Sequence, residues 1–198
     1  MNELFLRNEM LWGREAQERL ARAHVILFGL GGVGSYTAEC LARSGIGELT
    51  IVDNDVVSPS NRNRQLDTHP DLRLHPICAT YDAQHRDRFF PEGCRYDYIA
   101  DAIDLVSCKL DLAETARRLG VPLIMALGTG NKLDPSLLRL ADISETYGCP
   151  LARVMRKELR ARGIQHLKVV FSPEEATKPA PLEAPPPVRR SVPGSTPW

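Results

Sequence analysis

The sequence predicts an α/β fold, in which a Rossmann-like, mostly parallel sheet has helices on both faces and a C-terminal antiparallel extension. Three observations support this prediction. Apolar runs of strand length alternate with amphipathic segments of helix length, which include a short helix predicted at 82–90 and helices that should end at Gly45 and Gly120. The first apolar run leads into a glycine-rich turn that opens a helix, and the second run, at 48–53, ends in an aspartate. Strands that alternate with helices in this way favour a parallel sheet covered on both sides.

Length and composition indicate a globular core followed by a tail. The chain has 198 residues, enough for a substantial core, and it carries 25 basic and 25 acidic residues. We expect one domain over 1–171 and a proline-rich, extended or mobile segment over 172–198. The zero net charge gives no general sign of nucleic-acid binding, although a local basic patch stays compatible with it.

The cysteines and the amino terminus favour a cytoplasmic location. The five cysteines are odd in number and form no C-x-x-C pair, which argues against a cysteine zinc site or a disulfide framework. The amino terminus carries no secretion signal, and no apolar run approaches the ~18 residues of a membrane span. We therefore expect a cytoplasmic protein that does not enter a membrane.

The turn after the first strand carries the first functional prediction. It contains Gly29, Gly31, Gly32 and Gly34. Glycine lets the backbone turn sharply and approach a phosphate, and the helix start presents N–H groups to an anion. Asp53 follows about 20 residues later, the spacing at which a second strand delivers a carboxylate to a ribose. This combination favours nucleotide binding over a plain tight turn that packs helix on strand.

Polar residues beyond the second strand extend the predicted site. They are Asp53, Asp55, Asn61, Arg62 and Arg64. These residues lie at or just beyond the carboxyl end of that strand, the edge where open α/β sheets bind ligands. The arginines beside carboxylates suit a triphosphate, because guanidinium groups form paired, charge-assisted hydrogen bonds with phosphate oxygens. The alternative is a polar loop with internal ion pairs.

Two further acids belong to the strand-like segment at 96–104. Asp101 and Asp104 would reach the same sheet edge as Asp53 and face the glycine turn, where a carboxylate beside phosphates suits Mg²⁺. Alternatively, Asp104 caps the helix that follows by accepting hydrogen bonds from its first N–H groups. The two roles are compatible.

Basic residues elsewhere have two interpretations each. Arg7 lies on a helix predicted at 3–22 with a break at Gly13, and pattern alone favours a solvated surface arginine. The amphipathic helix predicted at 150–163 places basic residues away from its apolar face. They are Arg153, Arg156, Lys157, Arg160 and Arg162. A solvated face is the usual interpretation, and contact with a polyanion such as RNA is the alternative.

The connection between the second and third strands lacks an expected helix. Residues 54–73 are long enough for a crossover, yet Pro59 and Pro70 interrupt them and no helical pattern is present. Either the crossover is an irregular loop or a helix has been lost from the chain here.

Five motifs together resemble the ubiquitin-activating-like ThiF/HesA/MoeB superfamily. They are G-L-G-G-V-G-S at 29–35, I-V-D-N-D-V-V at 51–57, S-N-R-N-R-Q at 60–65, D-A-I-D at 101–104 and R-S-V-P-G-S at 190–195. Within the superfamily the sequence is most similar to the tRNA threonylcarbamoyladenosine dehydratases, over nearly all of residues 4–198.

The resemblance implies ATP and Mg²⁺ as cofactors and assigns roles to residues. In that superfamily the glycine turn holds the ATP phosphates, the first acid binds ribose, the N-x-x-R-Q motif binds nucleotide and triphosphate, and the later acid serves Mg²⁺. These roles fall here on Gly29, Gly31, Gly32, Gly34, Asp53, Asn61, Arg64 and Asp104, with Asp104 as the metal residue. The family's amino-terminal arginine, which acts in the partner protomer's site, matches Arg7. This reverses the interpretation from pattern alone, implies a homodimer, and makes Arg7 and Arg64 the catalytic residues.

The resemblance also implies the reaction and the partners. The threonyl carboxylate of threonylcarbamoyladenosine, beside the tRNA anticodon, attacks the α-phosphorus of ATP and becomes an acyl-adenylate as pyrophosphate leaves. An internal nucleophile of the threonylcarbamoyl group then closes a ring and releases AMP. The implied partners are that tRNA, a second copy of the chain, and, from the context of some relatives, a sulfur-transfer protein.

One family feature has no match in the sequence. The superfamily carries a phosphate-contacting lysine on the helix after N-x-x-R-Q, and this chain has no lysine between Asp53 and Asp104. Because the missing lysine coincides with the missing helix, we expect that a segment is omitted near His69 and Pro70. Two consecutive Cα atoms within 66–72 should then lie much farther apart than the ~3.8 Å of a trans peptide.

Three other functions compete with this interpretation. An activating enzyme for a ubiquitin-like sulfur carrier is the main alternative, although the paired C-x-x-C motifs and catalytic cysteine of several such enzymes have no match here. An NAD-dependent oxidoreductase would explain Asp53 but not N-x-x-R-Q. A non-catalytic nucleotide-binding dimer would fit the missing lysine.

Overall fold

The structure, a computed structural model, describes residues 5–54 and 73–177. The helices in these ranges are α1 (Leu6–Trp12), α2 (Arg14–Arg22), α3 (Gly34–Ser44), α4 (Arg86–Phe89), α5 (Val106–Leu119) and α6 (Pro150–Ala161). The strands are β1 (His24–Phe28), β2 (Glu48–Asp53), β3 (Arg73–Cys78), β4 (Tyr98–Asp101), β5 (Leu123–Ala126), β6 (Arg139–Asp142) and β7 (Lys168–Phe171). The chain forms two compact units, Met1–Leu123 and Ile124–Trp198.

The first unit is built on parallel strands in the order β3-β2-β1-β4. The centre of this sheet is apolar, since Ile26, Leu27, Phe28 and Leu49 are completely buried. Helix α3 connects β1 to β2 and ends at Gly45, whose φ of +85° is the left-handed conformation of a helix C-cap. The predicted strand, glycine turn, helix and strand are therefore confirmed.

The second unit contains the predicted antiparallel pair. Strand β5, whose first residue still belongs to the first unit, runs parallel to β7, and β6 pairs antiparallel with β7. Helix α6 buries Ala152, Met155 and Leu159 completely, which accounts for its apolar spacing. The predicted fold class, a mostly parallel α/β fold with helices and an antiparallel C-terminal extension, is confirmed.

The amino-terminal helix is interrupted as the sequence predicts. Gly13 separates α1 from α2 and has a φ of +87°, a conformation that L side chains rarely adopt. Two other predicted elements are shorter than expected. The helix predicted at 82–90 begins only at Arg86, because the Asp82 carboxylate accepts the backbone N–H groups of Gln84 and His85 and holds a turn there.

The strand predicted at 96–104 ends at Asp101 for a similar reason. The Asp101 carboxylate accepts the backbone N–H of Ile103 at 2.9 Å, so the chain leaves the sheet there. Other predictions concern residues outside the described ranges: the crossover after Asp53, the Cα separation within 66–72, and most of the proline-rich segment. The boundary at residue 171 stays a prediction. Among the residues described, no helix is both long enough and apolar enough to span a membrane.

Candidate active site

The turn between β1 and α3 requires glycine at two positions. Gly29 has a φ of +88°, and a Cβ atom there would lie 2.7 Å from the carbonyl oxygen of Ala102. A Cβ atom on Gly34 would lie 1.7 Å from the carbonyl oxygen of Gly29. Both distances are shorter than any normal contact, so a larger residue would displace the backbone. The turn is thus packed tightly against the end of β4.

The other side of the turn is open. A Cβ atom built on Gly31 meets no atom of the described residues within 4 Å, so they leave the backbone there open to a ligand. The residue before α3, Val33, provides no side-chain cap, although the N–H of Ser35 in the first turn donates to the carbonyl oxygen of Gly31 at 3.0 Å. Uncapped N–H groups at a helix start, together with the helix dipole, favour an anion. The geometry therefore suits a phosphate over Gly31 and Gly32.

The predicted acid lies against this turn. Asp53 ends β2, which runs parallel to β1, and its Oδ2 atom accepts a hydrogen bond from the backbone N–H of Leu30 at 2.5 Å. A carboxylate hydrogen bonded to a backbone N–H is held more firmly than one in solvent. Asp53 is thus fixed beside the glycine turn, where the sequence predicts it.

A buried ion pair, which the sequence analysis missed, supports the same edge. Lys109 Nζ lies 2.9 Å from Asp101 Oδ2, and both residues are almost completely inaccessible to solvent. Burial raises the pKa of Asp101, and Lys109 opposes this shift. The sequence feature that could have indicated this ion pair is a lysine between the apolar residues Cys108 and Leu110 of α5. Asp101 therefore serves the framework of the site.

Asp104 differs from Asp101 although only three residues separate them. Its side chain is exposed, and Leu105, the residue that precedes α5, provides no side-chain cap. Among the described residues no hydrogen bond to the Asp104 carboxylate supports the capping alternative. Its exposed position is compatible with a metal ligand.

Three further residues are predicted to act in catalysis or to bind the nucleotide, and only one of them, Arg7, lies in the described ranges. Arg7 is exposed on α1 and forms no hydrogen bond or ion pair with other described residues, which agrees with either interpretation of it. Asn61 and Arg64 lie outside the described ranges, so their predicted roles stay predictions.

The basic face of α6 contains residues of two kinds. Arg156 donates to the carbonyl and hydroxyl oxygens of Thr146, both at 2.6 Å, and Arg162 pairs with Glu158 at 2.8 Å. These two arginines stabilise the second unit. The remaining basic residues, Arg153, Lys157 and Arg160, are exposed, and the RNA hypothesis rests on them.

A glycine turn, an uncapped helix and a fixed acid at the carboxyl edge of a parallel sheet define the nucleotide-binding class of α/β proteins. Residues 5–69 match the model of the ThiF family. The sequence is 37% identical over 191 residues to the tRNA threonylcarbamoyladenosine dehydratase of Bacillus subtilis, covering 86% of this chain and 74% of that protein. The chain belongs to the tRNA threonylcarbamoyladenosine dehydratase family, which confirms the resemblance of the motifs.

Solved structures support the same family. The crystal structure of the Escherichia coli tRNA N6-threonylcarbamoyladenosine dehydratase TcdA in complex with ATP matches with a TM-score of 0.81 and 30% identity, covering 89% of this chain and 84% of that one. The adenylyltransferase and sulfurtransferase UBA4 of Vanderwaltozyma polyspora is less similar, at 28% identity over 159 residues and 35% of its length. The dehydratase interpretation is therefore favoured over the sulfur-carrier alternative.

Proposed function

We propose that this protein is an ATP-dependent dehydratase, which adenylates the threonyl carboxylate of threonylcarbamoyladenosine in tRNA and promotes its cyclisation. The observation that carries the proposal is the glycine turn, open at Gly31 and held by Asp53 at the edge of the parallel sheet. Membership of the dehydratase family supplies the substrate. The same family, and its members' tRNA substrate, favour the cytoplasm as the location.

The described part of the site fits ATP. The open face at Gly31 and the uncapped start of α3 suit the phosphates, and the fixed carboxylate of Asp53 suits a ribose hydroxyl. In this proposal Asn61 and Arg64 complete the nucleotide contacts, with the Arg64 guanidinium placed against the triphosphate. ATP acts as a substrate, since it is cleaved to AMP and pyrophosphate.

Asp104 is the residue that fits Mg²⁺. Lys109 neutralises Asp101 within the protein, so Asp104 is the exposed carboxylate of this segment that can bind a hard cation together with phosphate oxygens. The ion, when bound, offsets negative charge on the phosphates.

The reaction requires positioning and charge stabilisation rather than a protein nucleophile. The threonyl carboxylate oxygen attacks the α-phosphorus of ATP, an acyl-adenylate forms and pyrophosphate leaves. A nucleophile within the threonylcarbamoyl group then attacks the activated carbonyl carbon and AMP departs, so that one water is lost overall. Arginine side chains stabilise the negative charge that develops during each displacement. We assign this role to Arg64 and to Arg7 of a second protomer.

The surface of α1 supports a homodimer. Met10 and Leu11 are 77% and 79% exposed, and Leu6 and Trp12 are also exposed on this seven-residue helix. Apolar side chains grouped in this way are typical of a protein interface. Arg7 lies among them, so a dimer formed through α1 would bring Arg7 to the partner. A sulfur-transfer protein as a further partner stays a prediction.

Pyrophosphate release with tRNA tests the proposed function. ATP should release pyrophosphate only with tRNA that carries threonylcarbamoyladenosine, and Arg64→Ala should abolish this release. Arg118→Ala, at an exposed arginine near the end of α5, is the matched control and should be fully active. Turnover of ATP that ignores the modified tRNA contradicts the proposal, and formation of an adenylated carrier protein would support the sulfur-carrier alternative instead.

Mixing two inactive variants tests the role of Arg7 across the interface. A heterodimer of Arg7→Ala and Arg64→Ala protomers keeps one intact site, so an equal mixture should regain roughly one quarter of the wild-type activity. No activity should return if Arg7 acts within its own protomer. Size-exclusion chromatography of each variant verifies that the dimer persists.

A further inference from the structure

Three side chains converge at the amino end of the strands in the first unit, away from the glycine turn. His24 begins β1, Glu48 begins β2, and His75 lies in β3. His24 pairs with Glu48 in the sheet, and His75 pairs with Thr50, two residues beyond Glu48. Paired residues and residues two apart in a strand share a face of the sheet. The three side chains therefore lie on the same face.

Their distances suit one shared ion. His24 Nδ1 is 3.5 Å and His75 Nε2 is 3.8 Å from Glu48 Oε2, and one ligand atom of each residue lies within 4.8 Å of the others. Ligands of a tetrahedral zinc ion, with bonds of about 2.0–2.1 Å, lie roughly 3.3–3.5 Å apart. His75 Nε2 lies a few tenths of an ångström beyond this spacing from Glu48 Oε2, and its side chain is 51% exposed.

Neighbouring groups orient two of these ligands. Thr50 Oγ1 lies 2.8 Å from His24 Nε2, which fixes the ring with Nδ1 towards Glu48. Arg73 pairs with Glu48 Oε1, so that Oε2 is the oxygen facing both imidazoles. Such contacts from outside the ligand set hold the ligands of metal sites in place. Burial lowers the pKa of His24, an effect that Glu48 partly offsets, and this favours the neutral ring that coordinates metals.

We propose that His24, Glu48 and His75 bind a divalent transition-metal ion of the Zn²⁺ class, with water as the fourth ligand. Two imidazoles and one carboxylate suit Zn²⁺, whereas Mg²⁺ prefers oxygen ligands in an octahedron. The site lies apart from Asp104 and takes no part in the proposed reaction. The bound ion joins β1, β2 and β3 and thereby holds β3, the edge strand of the sheet.

Another histidine provides a matched control. His85 Nδ1 lies 2.9 Å from Asp82 Oδ2 and is exposed, so it forms a histidine–carboxylate pair without a second imidazole. Within the described ranges, the His24 cluster is the one group of three such side chains close enough to share an ion. A single pair is expected to bind Zn²⁺ far more weakly than the cluster.

Calorimetric titration of the chelator-treated full chain with zinc chloride tests the proposal. We expect one strong site per chain, unaffected by excess Mg²⁺, with affinity reduced at least about 10-fold in His75→Ala and in Glu48→Gln. His85→Ala should retain wild-type affinity. Far-UV circular dichroism of each variant without metal verifies folding, which the exposed His75 position should tolerate. Added Zn²⁺ should raise the melting temperature of the wild type and of His85→Ala, and leave that of His75→Ala unchanged.

Cobalt substitution separates this site from the exposed cysteines Cys40, Cys78 and Cys94. Co²⁺ bound by imidazole and carboxylate should show visible d–d bands without the near-ultraviolet band of a thiolate ligand. The proposal is overturned by the absence of saturable one-to-one binding, by a thiolate band, or by an affinity that survives His75→Ala. An equal loss of affinity in His85→Ala would also overturn it.

Discussion

The two ends of the parallel strands in the first unit present opposite chemistry. At the carboxyl end, an open glycine turn and the uncapped start of α3 offer backbone N–H groups, with Asp53 fixed beside them. At the amino end, His24, Glu48 and His75 offer lone pairs from side chains. The first arrangement suits an anion and the second suits a cation.

The two sites differ in the structural features that form them. The glycine turn depends on close backbone approaches, because Gly29 and Gly34 lack the Cβ atoms that would meet the backbone at Ala102 and Gly29. The histidine cluster depends on the register of three strands, which brings together residues 24, 48 and 75. A one-residue slip between two of these strands would move one member of the cluster to the other face of the sheet. Changes confined to one end should therefore leave the other intact.

The largest effect is expected from Lys109→Met, which leaves Asp101 buried without its cation. Loss of one partner of a buried ion pair costs about 3–5 kcal/mol of the free energy of unfolding. Urea unfolding measures this cost. Lys157→Met, at an exposed lysine of α6, is the control and should change stability by less than about 0.5 kcal/mol. Equal stability of the two variants would show that the pair does not support the site.

Alanine substitutions at Gly34 and Gly31 should have different effects, because Gly34 lies on the tightly packed side of the turn and Gly31 on the open side. Gly34→Ala places a methyl group 1.7 Å from the Gly29 carbonyl oxygen, so we expect a loss near the upper end of the overpacking range of about 1–3 kcal/mol. A Cβ atom on Gly31 meets no atom of the part of the chain that the structure describes within 4 Å, and Gly31 has no positive φ, so Gly31→Ala should fold normally. Its methyl group would still obstruct a phosphate and weaken ATP binding. Wild-type ATP affinity in Gly31→Ala would place the phosphates elsewhere.

A smaller effect is expected from Asp53→Asn. The amide oxygen can still accept the Leu30 N–H, so the fold should persist, while loss of the charge weakens the contact with ribose. Hydrogen bonds to charged groups contribute about 1.5–3 kcal/mol, so ATP affinity should fall about 10-fold or more. Fluorescence titration with an ATP analogue measures this, with Asp87→Asn on α4 as control. Equal affinities in the two variants would exclude Asp53 from the nucleotide site, and zinc affinity should stay constant in both.

Much of the fold was predictable because its signals are local. The alternation of apolar runs with amphipathic segments predicted a mostly parallel sheet with helices, and Gly13, Gly45 and Gly120 marked helix ends that the structure confirms. The spacing from the glycine turn to Asp53 also placed that acid correctly, since β1 and β2 are neighbours in a parallel sheet. The predicted ends of two elements were wrong because the carboxylates of Asp82 and Asp101 accept hydrogen bonds from nearby backbone N–H groups.

The remaining features depend on contacts that sequence pattern does not specify. Asp101 and Asp104 look equivalent in D-A-I-D, yet one is buried against Lys109 and the other is exposed. Which of the two faces inward depends on where β4 ends. The His24 cluster required the pairing of β3 with β2, across a connection whose pattern predicts no helix. Both features depend on where strands end and how they pair, which a single sequence does not specify.

Mass spectrometry of the nucleosides from tRNA tests the central claim most directly. Modified tRNA incubated with the protein, ATP and Mg²⁺ should yield a cyclised nucleoside one water lighter than threonylcarbamoyladenosine, with one AMP formed for each conversion. Arg64→Ala should yield none. Complete consumption of ATP without the lighter nucleoside, or formation of that nucleoside without ATP, would contradict the account.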